Sequence, residues 1–184
     1  MAIVNSIFTW YMKKRIHQIE LFMKYPLDVQ EEWLHSLISS AANTEWGKKY
    51  DYRSILTVGQ FKERVPTQNY DTLKPYIERM LKGEQNILWP SDIKWFAKSS
   101  GTTSDRSKFI PVSPEALEEC HFKGGRDMIS IYCNNQPQTQ MFTGKGLVLG
   151  GSHQINQLCQ DIHCGDLSAV LIKNLPMWAE YYRT

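Results

Sequence analysis

No stretch of this 184-residue chain approaches the roughly 20 consecutive apolar residues that a bilayer-spanning helix needs, which excludes such a span. Nor does charge of one sign dominate. Lys and Arg number 21 against 19 Asp and Glu, a formal net charge of +2, too balanced to argue for a nucleic acid or an anionic membrane as partner. The four cysteines, Cys120, Cys133, Cys159 and Cys164, include no C-x-x-C pair, so reduced, buried thiols are expected rather than a redox motif. A secretory signal is missing too, because the basic cluster Lys13, Lys14 and Arg15 follows the apolar run Ala2 to Met12 instead of preceding it. The chain is expected to be cytoplasmic. Internal repeats and low-complexity linkers are also absent.

What is present is an ordinary folded composition, 42% hydrophobic with 11 Gly and 8 Pro. At this length the chain is one domain or a piece of a larger one and can bury about 70% of its unfolded surface. Phe8, Met12, Ile16, Ile19 and Met23 form a helical stripe that predicts one amphipathic helix, interrupted at Pro26. Asp28 and Glu31 stand at capping-box spacing before a second helix through Trp33, Leu34, Leu37 and Ile38, and Thr57 and Gln60 repeat that spacing ahead of Phe61 and Val65. Tyr70 to Lys82 predicts a further helix, closed by Gly83. The first half is therefore helical. Ile93 to Ala97 and Phe109 to Val112 read as strands joined in a hairpin-like unit, and Ser113, Pro114 and Glu115 start a helix running through Leu117, Cys120, Met128, Ile131 and Tyr132. Leu147 to Leu149 and Ala169 to Ile172 read as two more strands. The fold class is mixed α/β, with residues 1–90 a helical region and 91–184 the start of a second domain. The aromatic-rich end at Met177, Trp178, Tyr181 and Tyr182 suggests an interrupted architecture, an N-terminal portion.

The chemistry sits between the first two strands, in Ser99, Ser100, Gly101, Thr102, Thr103, Ser104, Asp105, Arg106, Ser107 and Lys108. Hydroxyls and backbone N–H groups can converge there on an anion, Gly101 lets the backbone approach it closely, and Lys108 adds a mobile charge. A plain Ser/Thr-rich surface turn is the bland alternative, but a tight hairpin needs only about two to five loop residues and no terminal lysine. The segment matches neither G-x-x-x-x-G-K-[ST] nor G-x-G-x-x-G, so a P-loop and a dinucleotide fold are not indicated.

This SSGTT…K segment resembles the phosphate-binding signature of the acyl-adenylate-forming superfamily. FKERVPTQNYDTLKPYIERMLKGE (Phe61 to Glu84), KWFAKSSGTT (Lys94 to Thr103), KFIPVS (Lys108 to Ser113) and GDLSAVLIKNLPMW (Gly165 to Trp178) further resemble the bacterial branch of the auxin-responsive-promoter-type acyl-acid amido synthetases. The resemblance implies an incomplete adenylate-forming large domain and two half-reactions. A carboxylic acid attacks the α-phosphate of ATP, with Mg²⁺, to give an acyl-adenylate and pyrophosphate, and the amine of an amino acid then displaces AMP. Ser99, Ser100, Thr102 and Thr103 would hold β/γ-phosphate oxygens, Gly101 would allow the close turn, and Lys108 would neutralise charge on departing pyrophosphate. Many superfamily members carry a second glycine after the threonines, where this chain has Ser104, Asp105 and Arg106. The family's adenine, ribose and C-terminal lysine motifs lie later than anything in this sequence.

Other constellations carry less. His153, Cys159, Asp161, His163 and Cys164 are loosely metal-like but lack zinc-ligand spacing. Adjacent Cys120 and His121 point to different helix faces and are read as a core thiol beside a surface imidazole. The aromatics are read mainly as core, Leu149 to His153 as either a glycine turn or part of an acyl pocket, and Arg79, Lys82 and Glu84 as a solvated helix face. Two functional readings stay open: the N-terminal part of an ATP-dependent amide-forming ligase, or a shortened non-catalytic module that binds a phosphate-bearing ligand, a protein partner or a second copy of itself.

Overall fold

The computed structural model describes residues 2–99, 108–144, 146–147, 154–159 and 161–182. In chain order the helices α1 (Ala2–Lys13), α2 (Ile16–Lys24), α3 (Pro26–Ala41), α4 (Glu45–Lys49), α5 (Val58–Arg64) and α6 (Tyr70–Leu81) come first. Strands β1 (Trp95–Lys98) and β2 (Phe109–Val112) follow, then a π-helical stretch Ala116–Phe122 running into α7 (Lys123–Asn135), strands β3 (Ile155–Cys159) and β4 (Ile162–Asp166), and helices α8 (Leu167–Lys173) and α9 (Met177–Tyr182). This is a mixed α/β chain with a helical N-terminal half. It divides into two compact units: Met1–Pro26 with Glu115–Gly150 and Lys173–Thr184, and Leu27–Pro114 with Gly151–Ile172.

In the first unit α1 packs on α7, and Met12, 1% exposed, joins Cys133 and Phe142 in a small core flanked by Phe8 and Ile129. The single helix expected from Phe8 to Met23 is two helices, parted at Lys14 and Arg15. There Lys14 N and Arg15 N donate to Tyr11 O and Met12 O, three residues back, and the Arg15 guanidinium forks onto Asp127 at 2.6 and 3.1 Å. That fixed partner turns the chain, leaving Met23 78% exposed. The helix after Ser113 forms, but its π turns shift the following residues around the axis. Ser130 and Cys133 are consequently buried while Met128, Ile131 and Tyr132 are exposed, and so is Cys120, against the expected core thiol.

The second unit holds a four-stranded sheet in the order β2-β1-β4-β3. β1 pairs antiparallel with β2, from Trp95↔Val112 to Lys98↔Phe109, as the expected hairpin-like unit requires. β1 also pairs parallel with β4, from Trp95↔His163 to Lys98↔Asp166, and β3 pairs antiparallel with β4. One face packs on α6, where Phe96, Ile162 and Cys164 meet Ile77, Met80, Ile87 and Ile93. A neighbouring cluster gathers Ile38, Ala41, Trp46, Tyr52 and Ile55. Gly47 leaves α4 no room for a side chain, since a Cβ would lie 2.0 Å from Ala41 O. Helix α3 starts at Pro26, which belongs to its first turn with Asp28 instead of interrupting the chain. The run Ala169 to Ile172 is helical, not a strand, and Leu147 is 77% exposed outside any strand; residues 148–153 lie outside the described residues.

Candidate functional site

The sheet delivers the polar segment at the end of β1. Beyond the last ladder pair, Ser99 N donates to Lys108 O at 2.9 Å and Lys108 N donates to Ser99 Oγ at 3.3 Å, so the two ends of the segment are tied to each other. Successive residues of a strand aim their backbone groups to opposite sides. With Lys108 facing Ser99, the N–H of Phe109 points away from β1, and it donates to the phenol oxygen of Tyr70 at 2.9 Å. Tyr70 opens α6, whose start is locked by a reciprocal capping box: Thr72 N donates to Asn69 Oδ1 at 3.0 Å and Asn69 N donates to Thr72 Oγ1 at 3.2 Å. Lys108 is exposed, its Nζ lies 5.5 Å from the Tyr70 ring centroid, and among the described residues it forms no ion pair. Of the expected site residues the structure thus brings Ser99 and Lys108 together, while Ser100, Gly101, Thr102 and Thr103 lie outside the described residues.

The support beneath this neck is closely packed. β1 and β4 are parallel, so the polar segment leaves from the carboxyl end of a parallel pair, the edge at which open α/β sheets bind ligands. β4 is central and closely packed: a Cβ at Gly165 would lie 2.8 Å from Gln154 O. The Trp95 and His163 ring centroids lie 4.9 Å apart with the planes tilted by 32°, and Cys164 is buried in the core. Among the described residues no group of three or more His, Cys, Asp or Glu gathers to hold a metal ion. Burial raises the thiol pKa of Cys133 and Cys164 and keeps both protonated.

Two further polar centres escaped the sequence reading. Arg79, expected on a solvated face, donates to both oxygens of Glu45 at 2.9 and 2.7 Å and to both of Glu84, joining α6 to α4 and to the turn beyond α6. Its hydrogen bonds hold the Glu45 and Glu84 carboxyls below the usual carboxylate range. Lys49 donates to Tyr76 Oη at 2.9 Å, which raises its pKa, and its ammonium lies 5.1 to 5.4 Å from the rings of Trp46, Tyr50 and Tyr76. Spacing alone signals neither centre, nor the role of Tyr70, because each joins segments far apart in sequence.

The GH3 family N-terminal domain profile matches residues 15–184. The chain belongs to the GH3 family. Indole-3-acetic acid-amido synthetase GH3.2 of Arabidopsis thaliana is 34% identical to it over 106 residues, covering 57% of this chain and 19% of the relative. Jasmonoyl–L-amino acid synthetase JAR6 of Nicotiana attenuata is 31% identical over 107 residues, covering 58% and 18%. Among solved structures, GH3.15 acyl acid amido synthetase superposes with a TM-score of 0.75 at 20% identity over 88% of this chain and 29% of that one, a likeness of fold. The chain therefore spans about a fifth of the length of the curated GH3 relatives named here. Those relatives are plant acid-amido synthetases.

Proposed function

We propose that this chain is the N-terminal part of an ATP-dependent ligase that adenylates a carboxylic acid and passes the acyl group to the amine of an amino acid. In this reading residues 1–90 are its helical N-terminal region, residues 91–184 begin the adenylate-forming domain, and the protein works in the cytoplasm. Within the family we assign it to the bacterial branch, a reading supported by the resemblance of Phe61 to Glu84, Lys94 to Thr103, Lys108 to Ser113 and Gly165 to Trp178. The observation that carries the reading is the Ser99–Lys108 neck at the carboxyl end of β1: it closes a hydroxyl-rich segment and sets an ammonium without a carboxylate partner among the described residues at its exit. That donor set suits polyphosphate oxygens. Ser99, Ser100, Thr102 and Thr103 hold β- and γ-phosphate oxygens, Gly101 permits the close turn, and Lys108 offsets charge on the departing pyrophosphate. Magnesium enters with the nucleotide as MgATP, held chiefly by phosphate oxygens as this ion prefers.

The test is MgATP binding by the 184-residue chain, followed by displacement of a fluorescent ATP analogue. Removing a charge-assisted contact costs a factor of about ten or more in affinity, so Lys108→Ala is expected to bind MgATP at least that much more weakly than wild type while keeping its circular-dichroism spectrum. Equal affinity for the two proteins removes Lys108 from the nucleotide site and sinks the reading.

A further inference from the structure

We infer that Tyr70 is a positioning residue for Lys108, holding the lysine at the exit of the polar segment where a polyphosphate meets it. This rests on the phosphate-site reading above. Tyr70 acts on two atoms at once. Its phenol oxygen accepts from Phe109 N at 2.9 Å, fixing the backbone one residue beyond Lys108, and its ring lies 5.5 Å from the Lys108 ammonium. β2 is an edge strand of the described sheet, so the outward Phe109 N–H has no strand neighbour to bond, and Tyr70 supplies the acceptor. Tyr70 can do so because it is itself immobilised, by the Asn69–Thr72 capping box and by packing against the cluster of Ile77, Met80 and Phe96.

The chemistry of the seat matters. A free lysine side chain loses rotamer entropy when it is ordered on a ligand. A ring face within about 6 Å restrains the ammonium beforehand. A carboxylate would do the same but would neutralise the charge that the phosphates need. The aromatic seat orients the cation and leaves it charged.

The experiment compares wild type, Tyr70→Phe, Tyr70→Leu, Lys108→Ala and the Tyr70→Leu/Lys108→Ala double variant of the 184-residue chain. Inorganic tripolyphosphate is the probe, with NMR of the Lys108 ε-methylene. Tyr70→Leu is expected to abolish the ring-current shift of that methylene and to weaken tripolyphosphate binding about two- to fivefold. The weakening is expected to vanish in the Lys108→Ala background, as coupled neighbours require. Tyr70→Phe, which keeps the ring and the packing, is expected to speed amide exchange at Phe109. An unchanged methylene resonance in Tyr70→Leu, an equal loss of affinity with and without Lys108, or unchanged Phe109 exchange in Tyr70→Phe overturns the inference. If Lys108→Ala alone binds tripolyphosphate as wild type does, the phosphate reading fails, while the methylene and exchange measurements still decide whether Tyr70 seats the lysine.

Discussion

Arg79 offers one guanidinium to two carboxylates, and the consequence is a pH dependence with a definite sign. Its hydrogen bonds depress the pKa of both Glu45 and Glu84 in the folded chain, so folding is favoured above the pKa these groups have when unfolded, about 4.3. The contribution is lost as pH falls through the lower folded values. Arg79→Gln removes the cause. Its urea midpoint is therefore expected to fall below that of wild type at about pH 7, and the gap is expected to narrow progressively as pH falls below about 4.3 and with added salt, since the groups face solvent. A gap unchanged by pH would show that the arginine acts through packing instead. Sequence could not have indicated this, because Arg79 lies 34 residues from Glu45 and the two meet only once α4 and α6 are packed. Ser99 and Lys108 stood out for the opposite reason: a hydroxyl-rich segment ending in lysine between two apolar strands suggests an anion site by residue type alone, and the structure shows its two ends paired. Tyr70, 39 residues from Phe109, was legible only as the start of a helix.

Among elements, those with local chemical punctuation were foreseen. Thr57 caps α5 by accepting from Gln60 N at 3.2 Å, as the spacing predicts, although the Gln60 carboxamide reaches Leu56 N rather than closing a box on Thr57. Gly83 follows α6 with φ of 95°, the left-handed stop that glycine provides. The run Ala169 to Ile172 was misread because a short, fully apolar stretch has no periodicity to separate a buried helix from a strand. The strand is the preceding Ile162–Asp166, where His163, Gly165 and Asp166 disguise a central position. This assignment makes a contrast testable within one hairpin. Ile162 is 2% exposed against Phe96, whereas Leu158 on β3 is 47% exposed. Ile162→Ala is expected to cost about 2–5 kcal/mol in urea denaturation, and Leu158→Ala no more than about 0.5 kcal/mol. Similar losses at both positions would mean that β4 is not the core strand.

For the molecule as a whole, the decisive fact is proportion. The chain covers 29% of the GH3.15 structure whose fold it shares and about a fifth of the amido synthetases related to it in sequence. Adenylation requires the nucleotide, the acid and the metal to be held together in near-attack geometry, an advantage of about 7–11 kcal/mol that vanishes when one reactant is left unplaced. Under the proposed function, the described part of this chain would supply one side of that arrangement: a parallel strand pair, a closed neck, and a lysine beside a tyrosine ring. In the proposed reading these features give charge and position to phosphates, and among the described residues no comparable constellation offers itself as a seat for a carboxylic acid. Binding and turnover should therefore separate. The 184-residue chain is expected to bind MgATP through Lys108 and yet to release no acid-dependent pyrophosphate above background, as followed by a coupled phosphate assay across a panel of aromatic and aliphatic acids. Turnover by a chain of verified mass would mean that these 184 residues place the acid as well, and the acyl site would then have to be sought within them.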